Sequence, residues 1–116
     1  MTCSQGCALL TGTGSIVTAD DVETLSSALA FIPVDDHIVL DLRGVGQLTS
    51  TAARQLSLRL AERVLCAEAV VVSDEPAVSM QLVLGDVDRI VPVVPTVEVA
   101  VEIITVRANL NVAEVA

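Results

Sequence analysis

The sequence predicts a single α/β domain with a mostly parallel sheet, because strand-like and helix-like segments alternate along its 116 residues. Residues 37–42 and 67–73 are rich in β-branched and apolar residues, as in strands that are buried on both faces. Around them, apolar residues recur at helical spacing, which is typical of helices that pack against a sheet. We expect one domain over residues 1–116, with its core at 7–105 and a frayed tail at 106–116.

The chain begins with two short strand candidates, residues 7–12 and 14–18, which meet at a Gly-Thr-Gly sequence typical of a turn. We therefore expect an opening β-hairpin. Thr18 and Asp21 have the spacing of a capping box, so a first helix should start there and end before Pro33. One face of this helix is apolar and contains Val22, Leu25 and Leu29.

The segment from Asp41 to Leu56 joins the end of the central strand to the hydroxyl-rich start of a second helix. Thr49, Ser50 and Thr51 precede apolar residues at helical spacing, so at least one hydroxyl belongs at the helix N-terminus as a cap. An anion also suits this position, because free N–H groups and the positive end of the helix dipole point outward. We expect Asp41 to bond backbone amides of the following loop, since an unpaired buried carboxylate is costly.

Two more helices and two more strands complete the predicted order. After the strand at residues 67–73, a third helix should start near Pro76 and stop at Gly85. A short strand is expected around residues 89–93, and a fourth helix should start at Pro95. The inward positions of these two helices are predicted to be Val78, Leu82, Leu84, Val97, Val101 and Ile104.

Composition excludes several classes of partner. The net charge of −9 and a pI near 4.2 disfavour binding to nucleic acid and to anionic lipid. Apolar runs reach only four to five residues, far short of the roughly 20 that a membrane-spanning helix needs, so we expect no membrane association. No signal peptide is visible, and the expected location is cytoplasmic. Four arginines (Arg43, Arg54, Arg59 and Arg63) form a local basic region that fits either helix solvation or partner docking.

Residues suited to catalysis or to metal binding are sparse. Cys3, Cys7 and Cys66 form no C-x-x-C pair, and His37 is the single histidine of the sequence. We expect neither a zinc site nor a disulfide framework, and we expect Cys66 to pack as a small hydrophobic residue. A Gly-rich phosphate loop and a Ser-His-acid set are also absent, so no catalytic residue, cofactor or enzymatic activity is predicted.

Several segments resemble, in order and spacing, a STAS domain of the anti-sigma factor antagonist type. They are residues 40–45, the hydroxyl-rich turn, residues 76–85 and residues 94–100, and the resemblance extends over residues 7–105. It implies a STAS-like α/β fold with a five-stranded, mostly parallel or mixed sheet. The implied order is β-β-α-β-α-β-α-β-α, with the four helices packed mainly on one side.

The resemblance also implies a phosphorylation switch. In that family, a serine kinase that is also an anti-sigma factor phosphorylates one serine in an Asp-Ser-Ser/Thr-Gly run at the start of the second helix. Ser50 takes the position of that serine here, while Thr49 replaces the aspartate and Ala52 replaces the glycine. The implied partner-binding residues are Gln47, Thr49, Ser50, Thr51, Ala52 and Arg54.

Three hypotheses follow for the function. The first is an anti-sigma factor antagonist-like protein that is switched at Ser50, and the second is a STAS-like scaffold or interaction module that is not phosphorylated. The third and weakest is a small-ligand or nucleotide-binding domain. The sequence leaves open the partner's identity, the upstream signal, a homodimer, and whether Thr49 or Thr51 substitutes for Ser50.

Overall fold

Strands and helices alternate along residues 7–33 and 35–115, which are the residues described by the computed structural model. In chain order they are β1 (Cys7–Ile16), α1 (Ala19–Ala30), β2 (His37–Leu48), α2 (Ser50–Arg63), β3 (Ala69–Val72), α3 (Pro76–Leu84), α4 (Val87–Ile90), β4 (Val93–Val94) and α5 (Val97–Val115). The prediction of an α/β fold with a parallel sheet is thereby confirmed.

The four strands form one parallel sheet in the order β1-β2-β3-β4. Crossovers of one hand that always advance in the same direction leave their helices on the same face of a sheet. Accordingly, α1 to α4 enclose the larger apolar cluster with one face of the sheet. Helix α5 follows the last strand and packs on the opposite face, over Val39, Val70 and Val72.

β2 lies inside the sheet, and residues 37–42 in its first half are buried on both faces, which explains the nearly continuous apolar sequence there. Ile38 and Leu40 belong to the cluster under α1 to α4, whereas Val39 belongs to the cluster under α5. The alternation follows from the two-residue period of a strand. The prediction of a central strand at residues 37–42 is confirmed, although β2 continues to Leu48.

The predicted opening hairpin is wrong, because residues 7–16 form one strand, so the described residues contain four strands rather than five. The glycines that indicated a turn have other roles. A Cβ on Gly12 would lie 3.2 Å from Leu42 Cδ2, and Gly14 has φ +82° beside a register shift against β2. The glycines therefore allow close strand approach and a bulge while β1 continues.

Several other boundaries and orientations differ from the predictions. The strand predicted at 67–73 shortens to β3, and the one predicted at 89–93 begins as helix α4, a fifth helix that the sequence pattern did not indicate. Leu84 and Val101 were expected inside but are 57% and 44% exposed, and Cys66 is exposed rather than packed. The predicted fraying of residues 106–116 stays a prediction, and Cys3 lies outside the described residues.

The capping predictions for α1 and α3 are confirmed. Thr18 caps α1 in a complete capping box with Asp21, and Pro76 occupies the first turn of α3, which ends before Gly85. Within the described part of the chain, the helices lack the combination of length and apolarity that crossing a bilayer requires.

Candidate functional site

The candidate site lies where two helices start side by side. β2 pairs with β3 only through Ile38–Asp41, but it continues beside β1 as far as Leu48. This two-stranded extension leads directly into α1 and α2. The Thr49 amide donates to the Ile16 carbonyl at 3.3 Å, and Thr49 Oγ1 donates to the Val17 carbonyl at 3.4 Å. The start of α2 is therefore fixed to the segment that precedes α1.

Thr49 is the N-cap of α2. Its Oγ1 accepts a hydrogen bond from the Ala52 amide at 3.2 Å, and its backbone is extended, as is usual for this position. The prediction that one hydroxyl of this cluster caps the helix is thus confirmed for Thr49. Because the cap is provided there, the hydroxyls of Ser50 and Thr51 are not needed for it.

Ser50 is the first residue of α2 and is exposed, as is Thr51. Neither side chain forms a hydrogen bond to another residue in the described ranges, 7–33 and 35–115. Their amides belong to the first turn, whose N–H groups have no carbonyl partner within a helix. The first turn of α2 also contains no acidic residue, so its partial positive charge is not neutralised locally.

The remaining predicted contact residues occupy different environments. Gln47 is exposed near the end of β2, whereas the Ala52 side chain is buried against the core. Arg54 lies four residues after Ser50, on the same face of α2, and its side chain is 64% exposed. The Ala52 side chain therefore packs into the core beneath the helix start, while Gln47, Ser50 and Arg54 face solvent.

Asp86 is a member of this site that the sequence did not reveal. Its Oδ2 lies 3.4 Å from Arg54 Nη2, and its Oδ1 lies 3.6 Å from Arg89 Nε. Asp86 has φ +67°, a left-handed conformation that is uncommon for residues other than glycine. The adjacent Gly85 is the available signal in the sequence, but a glycine at this position indicates only a helix stop.

Gly85 sets the distance between the α3–α4 turn and the start of α2. A Cβ on Gly85 would lie 2.5 Å from the Ala53 Cβ and 2.6 Å from the Arg54 amide nitrogen. Its φ is −89°, so the position requires glycine for close approach rather than for backbone conformation. This contact holds Asp86 within reach of Arg54.

The four arginines that formed the predicted basic region are engaged within the protein. Arg63 donates to the carbonyls of Leu29, Ile32 and Pro33 at 2.6 to 3.2 Å and thereby binds the end of α1. The other three form ion pairs with acidic residues, namely Arg43 with Asp41, Arg54 with Asp86 and Arg59 with Glu23. The region is therefore not an unpaired basic patch.

Asp41 has a structural role away from the helix starts. Its carboxylate accepts bonds from the Arg43 amide and Nε, both at 3.0 Å, and from Arg43 Nη2 at 2.9 Å. These bonds, with the guanidinium as the main cause, hold the pKa of Asp41 below its usual value. The prediction that Asp41 bonds backbone amides of the following loop is wrong, because the amide that it bonds belongs to Arg43, which still lies inside β2.

Cavities and metal ligands give no indication of a small-molecule site here. The cleft between the starts of α1 and α2 has a volume of about 60 Å³, far below the several hundred Å³ of typical ligand pockets. Within residues 7–33 and 35–115, no three histidine, cysteine, aspartate or glutamate side chains are grouped so as to hold a metal ion. The start of α2 is therefore an open surface with exposed hydroxyls rather than a deep pocket.

Comparison with known sequences adds no relative to this description. No family model matches the chain, and no curated protein matches it. The functional proposal therefore depends on the geometry of the α2 start and on the resemblance of its motifs.

Proposed function

We propose that the protein is a regulatory module of the anti-sigma factor antagonist type. In this proposal it binds an anti-sigma factor that is also a serine kinase, and phosphorylation of Ser50 switches the binding. The supporting observation is that Ser50 is an exposed first residue of α2 whose hydroxyl is not used for capping. The partner class comes from the resemblance to STAS domains, and the protein itself needs no catalytic group.

In the unmodified state, the exposed residues around the α2 start would contact the partner and displace its sigma factor. Gln47, Ser50, Thr51 and Arg54 provide polar groups. α2 packs against α3, and the two helices expose large apolar side chains, which are Leu58, Met80, Val83 and Leu84. Exposed apolar side chains beside hydrogen-bonding groups suit a protein interface.

Phosphorylation would add a charge of about −1.5 to −2 in the middle of this contact. The first-turn amides of α2 and the positive end of its dipole would stabilise the phosphate. Arg54 lies one turn away and would be drawn from Asp86 toward the stronger anion. The partner would then have to desolvate a phosphate whose hydrogen bonds are already made within the protein, and the complex would dissociate.

The test is affinity capture with purified protein as bait, followed by identification of the captured kinase and binding measurements with Ser50 variants. Ser50→Ala should bind constitutively, whereas Ser50→Asp should lose the partner. Ser27, which is exposed on α1, provides the matched control, and Ser27→Asp should bind like the unmodified protein. Equal affinities for Ser50→Ala and Ser50→Asp would exclude the switch.

A constitutive interaction module is the second candidate. The exposed apolar side chains of α2 and α3 favour it, because they are available without any modification. Threonine in place of the family's aspartate at position 49 also favours a site that the kinase does not recognise. Intact-mass analysis of both the partner-bound and the unbound pools separates the two candidates. A switched protein carries phosphate in the unbound pool, whereas a scaffold stays phosphate-free in both pools in cells that contain active kinase.

A further inference from the structure

The outer edge of β1 is open along its length in the described part of the chain. β1 is the first strand in the sheet order, and within residues 7–33 and 35–115 no segment pairs with its outer side. An edge of this kind presents unpaired N–H and C=O groups that can extend the sheet with another strand. Proteins usually protect such edges with charged residues or proline, and β1 contains neither.

Only the first half of β1 has the regular geometry that strand addition needs. Residues Cys7 to Thr11 pair with His37 to Asp41 without interruption, whereas register shifts follow between Thr11 and Thr13 and between Gly14 and Ser15. Bulges bend and twist a strand and interrupt its ladder. The regular open segment therefore has five residues, and Leu9 is at its centre.

Leu9 is also the large apolar side chain that this segment leaves exposed, at 57%. It pairs in register with Val39, whose side chain is buried under α5. Leu9 thus faces the α5 side of the sheet, while α5 packs over β2, β3 and β4. A strand added to β1 would bring a neighbour for Leu9 on that face.

The distribution of charge selects a second copy of this chain as the added strand. The first charged side chain in the sequence is Asp20, although the whole chain carries a net charge of −9. Two copies that approach through α1 or α5 would bring exposed acidic groups together, which are Asp20 and Glu23 on α1 and Glu98 and Glu102 on α5, and like charges repel. The uncharged edge of β1 avoids this repulsion. A two-fold axis also makes a single self-complementary segment sufficient for both halves of the contact.

We propose that the protein forms a two-fold dimer through antiparallel pairing of residues 7–11 with the same residues of a second copy. With the axis at Leu9, each Leu9 lies opposite its equivalent, at a Cβ separation of about 4.5–5.5 Å. Residues 7 and 11 then oppose each other, as do residues 8 and 10. The two four-stranded sheets become one sheet of eight strands, and the pair of leucines is buried at its centre.

The test is the molar mass of the full chain in solution, measured by light scattering and by sedimentation over a range of concentrations. The wild type should approach twice its 12.1 kDa mass as concentration rises. Leu9→Lys and Leu9→Glu should each remain monomeric, because like charges then meet at the axis. An equimolar mixture of the two variants should regain the dimer mass, since opposite charges now face each other.

Leu65→Lys provides the matched control, because Leu65 is 85% exposed and lies in the turn after α2. This variant should dimerise like the wild type, and circular dichroism should show that all variants are folded. A monomeric wild type at every concentration would overturn the proposal. Unchanged dimerisation of Leu9→Lys, or a mixture of the two variants that stays monomeric, would also overturn it.

Discussion

The starts of α1 and α2 lie side by side, and both are capped by threonine, but they differ in how completely they are satisfied. At α1, Asp21 accepts from the Val17 and Thr18 amides at 3.0 Å, while Thr18 Oγ1 accepts from the Asp21 amide at 3.2 Å. At α2, Thr49 caps the Ala52 amide, and no carboxylate occupies the first turn. The α1 start therefore has a full capping box with a carboxylate, whereas the α2 start leaves amides and hydroxyls available for an added anion.

Gly85→Ala should have the largest effect on the start of α2, because Gly85 allows the close contact between that start and the α3–α4 turn. The added methyl would overlap Ala53 and the Arg54 amide, which are backbone or rigid neighbours, so α3 and α4 must shift. We expect a loss of about 1–3 kcal/mol in the free energy of unfolding, measured by urea denaturation. Gly46→Ala is the matched control, since a Cβ there has no atom within 4 Å. Equal losses for the two variants would contradict the assigned role of Gly85.

Substitution at position 49 tests the N-cap of α2. Thr49→Ala removes the hydroxyl that accepts from Ala52, and we expect it to reduce the free energy of unfolding by about 1 kcal/mol. Thr49→Asp retains an N-cap acceptor but loses the donor to the Val17 carbonyl, so it should lose less stability than Thr49→Ala. It also places a carboxylate where the anti-sigma factor antagonists have aspartate. If Thr49→Asp destabilises as much as Thr49→Ala, the cap assignment is wrong.

Acid should weaken the α1 start while it spares the cap at α2. Hydrogen bonds from the Thr18 and Val17 amides hold the pKa of Asp21 below its usual value of 3.8. A lower pKa in the folded state means that the unfolded chain binds the proton more tightly. This contribution to stability is therefore complete well above pH 3.8 and is lost as the pH falls through the folded-state pKa.

The measurement for Asp21 is the free energy of unfolding as a function of pH, compared between the wild type and Asp21→Asn. The variant should show a shallower loss of stability in acid, because its side chain does not titrate. Asp41 also has a lowered pKa, so its contribution to stability is likewise lost in acid, and this loss is common to the wild type and the variant. Identical slopes for the two proteins would show that the Asp21 bonds do not contribute.

Removal of the Arg54–Asp86 ion pair should have the smallest effect on folding. Both side chains are substantially exposed, and exposed pairs contribute about 0–1 kcal/mol. Arg54→Gln should therefore change the free energy of unfolding by less than about 1 kcal/mol. The same variant should release the partner less completely after phosphorylation, if Arg54 helps to hold the phosphate. Arg59→Gln, at another exposed arginine of α2, is the control and should leave release unchanged.

Features that depend on neighbouring residues could be predicted from the sequence, whereas contacts between distant residues could not. The capping box of Thr18 and Asp21 and the hydroxyl cap of α2 depend on neighbours within three residues, so spacing alone predicted them. Gly12 and Gly14 suggested a turn, but pairing with β2 some 30 residues away decides that the strand continues. The contact between Arg54 and Asp86 likewise joins residues that only the packing of α2 against α3 and α4 brings together.

The bonds from Thr49 to the Ile16 and Val17 carbonyls connect the first strand to the proposed phosphoacceptor. A slip of β1 by two residues along β2 would keep its apolar face inward but would carry both carbonyls several ångströms away from Thr49. The helix would then begin without its anchor. The position of Ser50 at the start of α2 therefore depends on the correct alignment of β1 with β2.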